Sequence, residues 1–472
     1  MKKSPNILTL VSALLLCTVH LLCSCENDAD FSNDSSLRLS YSIDTLKFEP
    51  LVTEQTTSTR TIVIRNNSGE DLRISSVELE SHSGNFQMNA DGKNGEKVSN
   101  LEIRDGDSIY VFVRANLNQL ADNNEVWIED AIVINYNDHS DRIIITALGQ
   151  NAVVLRNHTV TKDTIWTSEQ PFLIFDSLKI AEGTTLTMEA GTIIRMHNQA
   201  VIDVNGSIVL KGTASAPIII SGDRYDNLTS NIPYLRLPGQ WDGIHFSGSS
   251  SNNMITGAWI TGMTSGIVID SAAINPNEWR LQIINSEIRV SQNGVLIANN
   301  ANIGAANSVF ANGGSRNVEL NGGAYQFVHC TICNLSTGNR WKPSLCINAS
   351  VSCPILECTF ANSIIAGSQQ QEIEVSGDSL ATFNFHNSLV FTATEDSIHY
   401  KDCVRNQNPQ FDYDNSKRIY DFHIDSTSAA RYIGNPAYIM QVPVCAFDLE
   451  GNNRMNDSLP DAGAYTWMPT TK

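Results

Sequence analysis

The chain has 472 residues, more than a single hydrophobic core serves, so two or more domains are expected. Charged residues make up 17% and apolar ones 42%, which excludes a coiled coil, a collagen-like chain and a charge-rich disordered protein. Acidic groups outnumber basic ones, 50 to 31, for a net charge of −19, so nucleic acid is not an expected partner. Asn is abundant, a poor helix former and a good turn former, which points to a turn-rich, all-β protein.

Residues 1–24 open with Lys2 and Lys3, continue through an apolar run from Ile7 to Leu16 and end in small or apolar residues, the layout of a secretory signal peptide. The run closes on Leu22-Cys23-Ser24-Cys25, which resembles the bacterial lipoprotein box. That resemblance implies cleavage before Cys25, lipidation at Cys25 and a partner in the membrane itself, since several acyl chains hold firmly where one is marginal. Residues 25–38 are a polar tether whose acidic start, Glu26 to Asp30, resembles the export tag of Bacteroidetes lipoproteins and implies an outer-membrane, outward-facing location.

Between 39 and 150, strand-like segments recur at Ser40–Phe48, Thr61–Arg65, Leu72–Leu79, Ser108–Arg114, Trp127–Tyr136 and Arg142–Leu148. Alternation puts Ile109, Val111 and Val113 on one face and Tyr110 and Phe112 on the other. Short strands at this spacing predict an immunoglobulin-like β-sandwich, without the antibody-type disulfide because the segment has no Cys. Val63 to Asn66 followed by Leu72 to Ile74 resembles the hydin-like bacterial Ig modules, which implies a spacer.

From 151 onward the strands shorten and a repeat emerges. Apolar anchors fall at Ile260, Ile288, Phe310, Ile332, Phe360 and Val390, at intervals of 28, 22, 22, 28 and 30 residues. A small side chain precedes each by two: Ala258, Ser286, Ser308, Cys330, Cys358 and Ser388. Short strands with extra residues entering at the turns predict a parallel β-helix over 151–445, coils stacking at about 4.8 Å so that none buries its apolar face alone. Residues 446–472 are expected to close that stack.

Residues 178–193 (LKIAEGTTLTMEAGTI) and 202–214 (IDVNGSIVLKGTA), then Pro217 to Ile220 and Trp241 to Ile244, resemble bacterial right-handed β-helix surface proteins of the pectate-lyase-like superfamily. Asp448 to Arg454 and Pro460 to Tyr465 resemble that family's closing segment, with Thr466 where the family often has an acid. The superfamily holds lyases and hydrolases, so fold alone leaves the activity open.

Cys330 and Cys333 have opposite parity on one strand and cannot converge on a zinc ion. Cys330 and Cys358 are placed in one column a coil apart, at about 5 Å, where a disulfide or free stacked thiols are both open. Outward positions give Trp259, Glu287, Val309, Thr331, Thr359 and Leu389, and two residues on, Thr261, Arg289, Ala311, Cys333, Ala361 and Phe391. Only Glu287 and Arg289 are charged, and a surface ion pair accounts for them as readily as catalysis does. Glu319 and Glu374 fall two coils apart, about 9–10 Å, with Cys346 between, a loose pair for hydrolysis.

Three excursions carry aromatics beside polar groups: 222–240 with Tyr225, Tyr234 and Arg236 leading to Trp241; 275–280 with Trp279; and 338–342 with Arg340, Trp341 and Lys342. Aromatics that stack on sugar faces, with guanidiniums reaching hydroxyls, make these candidate ligand contacts, while each ring folding back over a coil edge is the plainer account. No motif specifies a metal; Ca²⁺ is compatible with the superfamily without being called for, so no cofactor is expected. The expectation is a monomeric, surface-anchored, non-catalytic binding module for extracellular glycan or protein, with a polysaccharide lyase or glycoside hydrolase as the alternative.

Overall fold

The computed structural model describes residues 31–275, 278–336, 340, 342–456 and 458–469, so residues 1–30 with Cys25, and Trp341, lie outside the described residues. The chain divides into two compact units. In the first, period-2 alternation builds two sheets. One orders Leu39–Tyr41, Arg60–Asn66, Ser108–Ala115, Phe86–Ala90 and Lys93–Asn94 side by side. The other orders Thr45–Lys47, His139–Gln150, Val126–Tyr136, Leu72–Leu79 and Lys97–Ile103, all antiparallel except Thr45–Lys47, which runs parallel to its neighbour.

Ile62, Ile64, Val111 and Val113 from one sheet, and Leu72, Ile74 and Val77 from the other, are fully buried. Tyr110 and Phe112 face outward and stack with ring centroids 6.3 Å apart. The turn at residues 66–69 forms as its chemistry demands: Asn66 Nδ2 donates to Glu70 O at 2.8 Å and Ile103 O at 3.0 Å, and Asn66 Oδ1 accepts from Ser68 N at 3.1 Å. Strands Phe86–Ala90 and Lys97–Ile103 were not among the expected ones. Each carries three buried apolar residues: Phe86, Met88 and Ala90 alternate over only five positions and end on a weakly apolar Ala, and between Val98 and Leu101 the adjacent Ser99 and Asn100 break the alternation.

The second unit holds the coils. Strands from Val153–Val160 to Val404–Arg405 form one 25-stranded path in which every pairing is parallel, so the all-β expectation and the β-helix stack both stand. One interior column runs Ile194, Ile220, Ile260, Ile288, Phe310, Ile332, Ile365, Val390. A second runs Leu210, Ile255, Ile283, Ala305, Phe327, Phe360, Phe385, Tyr400. From Phe327 to Tyr400 its rings stack with centroids 4.8–5.0 Å apart.

These registers correct the expected columns at one coil. Phe360 belongs to the second column, and Ile365 takes its place in the first, at intervals of 33 and then 25 residues. Two insertions, residues 335–344 and 349–354, fall in that coil and push the true partner past the apparent period. The outward residues there are accordingly Ile364 and Ala366 in place of Thr359 and Ala361. Cys330 and Cys358 are therefore in different columns: Cys330 N donates to Ser363 Oγ at 3.1 Å, Cys358 lies beside Tyr325 and Phe383, and both are free thiols.

The coils also end earlier than 445. After Arg405 the chain leaves the stack, forms an antiparallel hairpin (Asp412–Asp414 with Ile419–Asp421) and a single turn-and-a-half helix, Pro436–Gln441, capped by Asn435. Phe411, Phe422, Ile424, Leu449, Ala462 and Tyr465 pack on Val309, Ala311, Cys333, Ile364, Ala366 and Leu389. The closing segment thus covers one outer face of the coils instead of extending them, because that face is apolar from the coil of Val309 onward. Cys333 points away from the coil interior as its parity requires, yet is buried beneath this segment.

A turn column pins it. Asn285, Asn307, His329, Asn362 and Asn387 all hold positive φ, between 48° and 52°, a conformation Asn tolerates well. Asn307 Nδ2 donates to Phe447 O at 2.8 Å, and Asn362 Oδ1 accepts from Asn435 N at 2.8 Å. Gly463 seats against the coil where a Cβ would meet Ile364 Cδ1 at 2.6 Å, and its φ of 97° favours glycine besides. No described helix is long and apolar enough to cross a membrane.

Candidate functional site

The outer face of the coils is open above the rungs of Trp259 and Glu287. Parallel strands put Trp259 and Thr261 on one rung, and Glu287 and Arg289 on the next, all pointing away from the core. Excursion 222–240 rises on one side and hairpin 412–421 on the other, meeting where Arg236 Nη1 donates to Lys417 O at 3.2 Å. Between them is a cleft of about 440 Å³, floored by Ile219, Ser221, Trp259, Thr261, Glu287 and Arg289 and walled by Tyr225, Arg236, Arg418 and Tyr420. Trp259 is 46% exposed, a large flat apolar surface left in solvent at the floor.

Three guanidiniums, Arg236, Arg289 and Arg418, face one carboxylate, Glu287, in a chain that is acidic overall. Arg289 Nη1 lies 3.3 Å from Glu287 Oε2, the neighbouring ion pair that the sequence allowed. Tyr465 O–H donates to the other oxygen of Glu287. The His423 ring packs on Tyr465 with centroids 3.9 Å apart; its Nδ1 is 2.5 Å from Asp421 Oδ1 and its Nε2 is 3.2 Å from Glu450 Oε1. The hydrogen bond to Asp421, with the charge of Glu450, pushes His423 up to about 9, so it is an imidazolium at neutral pH. The same bond lowers Asp421. Burial first, and then Glu287, raise Tyr465 well above the ordinary phenol, so it stays a hydrogen-bond donor.

Chemically, the cleft offers a stacking plane and planar donors suited to carboxylates. Retaining or inverting hydrolysis needs two carboxyl groups across the scissile bond, and the cleft lining supplies Glu287 alone, already occupied by Tyr465 and Arg289.

The other candidates are dispersed. Trp241 is fully buried in the coil interior, its Nε1–H donating to Thr261 O at 2.8 Å, so it is a core residue and not a ligand contact. A register shift between Trp241 and Gly243 turns its side chain into the core that Ile244 and Phe246 enter, against the reading of the loop end as exposed. Arg340 is likewise structural: its side chain is 3% exposed and grips Glu372, itself 0% exposed, through Nη1 at 2.7 Å and Nη2 at 2.5 Å. Glu372 also accepts from Ser344 N and Ser344 Oγ, each at 2.8 Å. Trp279 folds back over Gly304, its ring 3.2 Å from where a Cβ would stand. Tyr234 carries the Arg224 guanidinium 3.5 Å above its ring, and that guanidinium is held by Asp226. Lys342 is exposed and apart from the cleft. Glu319 pairs with Arg316, with Cys346 stacked between it and Glu374 as expected.

Of the expected contacts, Tyr225, Arg236, Glu287 and Arg289 come together. Trp259 was legible as outward, and the exposure of a Trp there was the available signal. Arg418 and Tyr420 were not legible, since only the fold-back of the closing segment brings them to this rung.

The family model described as a pectate-lyase like beta helix domain matches residues 158–273. No curated protein matches the chain. Among solved structures, similarity extends to the Vibrio cholerae VesB protease (12% identity, 25% of this chain and 33% of that chain, TM-score 0.17). It extends also to a family 123 glycoside hydrolase from Clostridium perfringens (10%, 26% and 31%, TM-score 0.19) and to the ASH/PapD-like domain of human CEP192 (11%, 26% and 90%, TM-score 0.17). The chain thus spans about a third of the length of the first two, and scores this low carry no argument about fold or function.

Proposed function

We propose that the chain is a surface-displayed saccharide-binding protein: lipid at Cys25 anchors it to the outer membrane, the immunoglobulin-like sandwich serves as a spacer, and the coils present the cleft over Trp259 to extracellular glycan. The observation that carries this reading is the exposed Trp259 face set among Arg236, Arg289 and Arg418. An indole takes the apolar face of a pyranose, and guanidiniums take its hydroxyls or an acidic substituent in a fork. The lone, already engaged Glu287 supports binding without turnover.

Calorimetric titration of the purified chain against neutral and acidic oligosaccharides tests it. Trp259→Ala is expected to weaken binding by about 1–2 kcal/mol, roughly five- to thirtyfold in Kd, with the melting temperature unchanged. Equal binding by the variant would overturn the assignment of the cleft. A second reading, a polysaccharide lyase or hydrolase, is favoured by the match of residues 158–273 to a pectate-lyase like domain. Release of unsaturated or reducing ends that is lost on Arg289→Ala or Glu287→Gln would establish that reading in place of the first.

A further inference from the structure

A bare β-helix offers a long groove along its outer face, since the same outward positions recur rung after rung. Here that groove is stopped at both ends. On the upstream rung, Arg195 pairs with Ser221 in register and is 8% exposed, covered by the Tyr225 ring 4.3 Å from its guanidinium. Its Nη1 donates to Gln55 Oε1 at 3.3 Å, and Gln55 in turn donates to Asp223 O, so a segment distant in sequence seals that end. On the downstream rung, Val309 and Ala311 follow Glu287 and Arg289 in register and are fully buried under Phe422 and Tyr465. Only three rungs stay open, Ile219, Trp259 and Glu287, a run of about 10 Å at the spacing of strands in a sheet.

From this blocked geometry we infer that the cleft takes the end of a glycan chain, or a free oligosaccharide of two or three units, and excludes the interior of a polymer. The inference rests on the saccharide reading above and adds the form of the ligand. A pyranose is about as long as one rung, so the ring over Trp259 has room for a neighbour on each side before Tyr225 and Tyr465 stop the chain. A polymer passing straight through would have to displace one of those walls. The bound volume agrees, since about 440 Å³ lies in the lower part of the range for enclosed small-molecule sites, about 300–1,000 Å³.

The test is a titration of the full chain with galacturonate oligomers and glucose oligomers of increasing length, beside the matching polymers at equal mass but different mean length. The expected result is affinity that levels off by the trimer, with polymer binding that follows the number of chain ends. Affinity that keeps rising to the hexamer, or polymer binding that follows mass irrespective of ends, would overturn the inference while leaving saccharide binding intact. Silence toward every oligomer and polymer would instead remove the saccharide reading, and this inference with it.

Discussion

Val290 occupies a corner that other coils fill with Gly262 and Asn312, all three at positive φ. A β-branched side chain at φ 58° is strained, because its Cβ crowds the carbonyl, at a cost of about 1–2 kcal/mol. It lies beside Arg289 on the rim of the cleft, where such strain is most often retained for function. Val290→Asn is expected to raise unfolding stability by about 1 kcal/mol in urea titration, and a loss of stability would show that packing outweighs the strain. Arg340 makes the opposite case. Removing its guanidinium leaves the Glu372 carboxylate buried without its partner, so Arg340→Ala is expected to cost about 3–5 kcal/mol by the same measurement and to leave saccharide binding by the remaining folded protein unaltered. Arginine beside aromatic residues in a long loop reads alike in both roles; the carboxylate that decides between them, Glu372, is 32 residues away in sequence.

The small-residue column shows both the reach and the limit of the repeat. Ser286, Ser308, Ser363 and Ser388 each turn Oγ back to the carbonyl two residues earlier, at 2.7–2.9 Å. All four oxygens also accept a backbone N–H from the coil before: Ser286 from Ala258, Ser308 from Ser286, Ser363 from Cys330, and Ser388 from Ser363, at 3.0–3.2 Å. Cys330 sits in this column with a weaker acceptor. Cys330→Ser is therefore expected to shift stability by less than about 1 kcal/mol, whereas loss of a disulfide would cost about 2–5 kcal/mol; thermal melts under oxidising conditions distinguish the two. Coil spacing, parity and the small-residue column were legible because they recur in sequence. The misplaced partner, Cys358 for Ser363, was not, because turn insertions change the count without changing the pattern on either strand. Strands Phe86–Ala90 and Lys97–Ile103, missed in the sandwich, are a different failure, of short or broken alternation. The hairpin beside the cleft carries no periodicity, and its place there is set by groups far away in sequence, such as Arg236 against Lys417, 181 residues apart.

The closing segment links stability of the fold to integrity of the cleft. His423 is raised to about 9 by Asp421 and Glu450, with Tyr465, Glu287 and Arg289 the other polar groups around it. A group raised above its unfolded value stabilises fully below about 6.5 and loses that contribution as pH rises through about 9. The melting temperature is accordingly expected to fall between those limits, and His423→Gln to flatten that fall; an unchanged slope would mean that the imidazolium does not hold the segment. Asp421 has the opposite sign, its contribution being lost as pH drops through its lowered value. All of this turns on the opening above Trp259 being where a sugar is held. A crystal structure of the full chain soaked with trigalacturonate decides it most directly: a pyranose stacked on the Trp259 indole, with a carboxylate in reach of Arg236 or Arg289, is predicted, and an ordered sugar bound elsewhere over an empty cleft would contradict it.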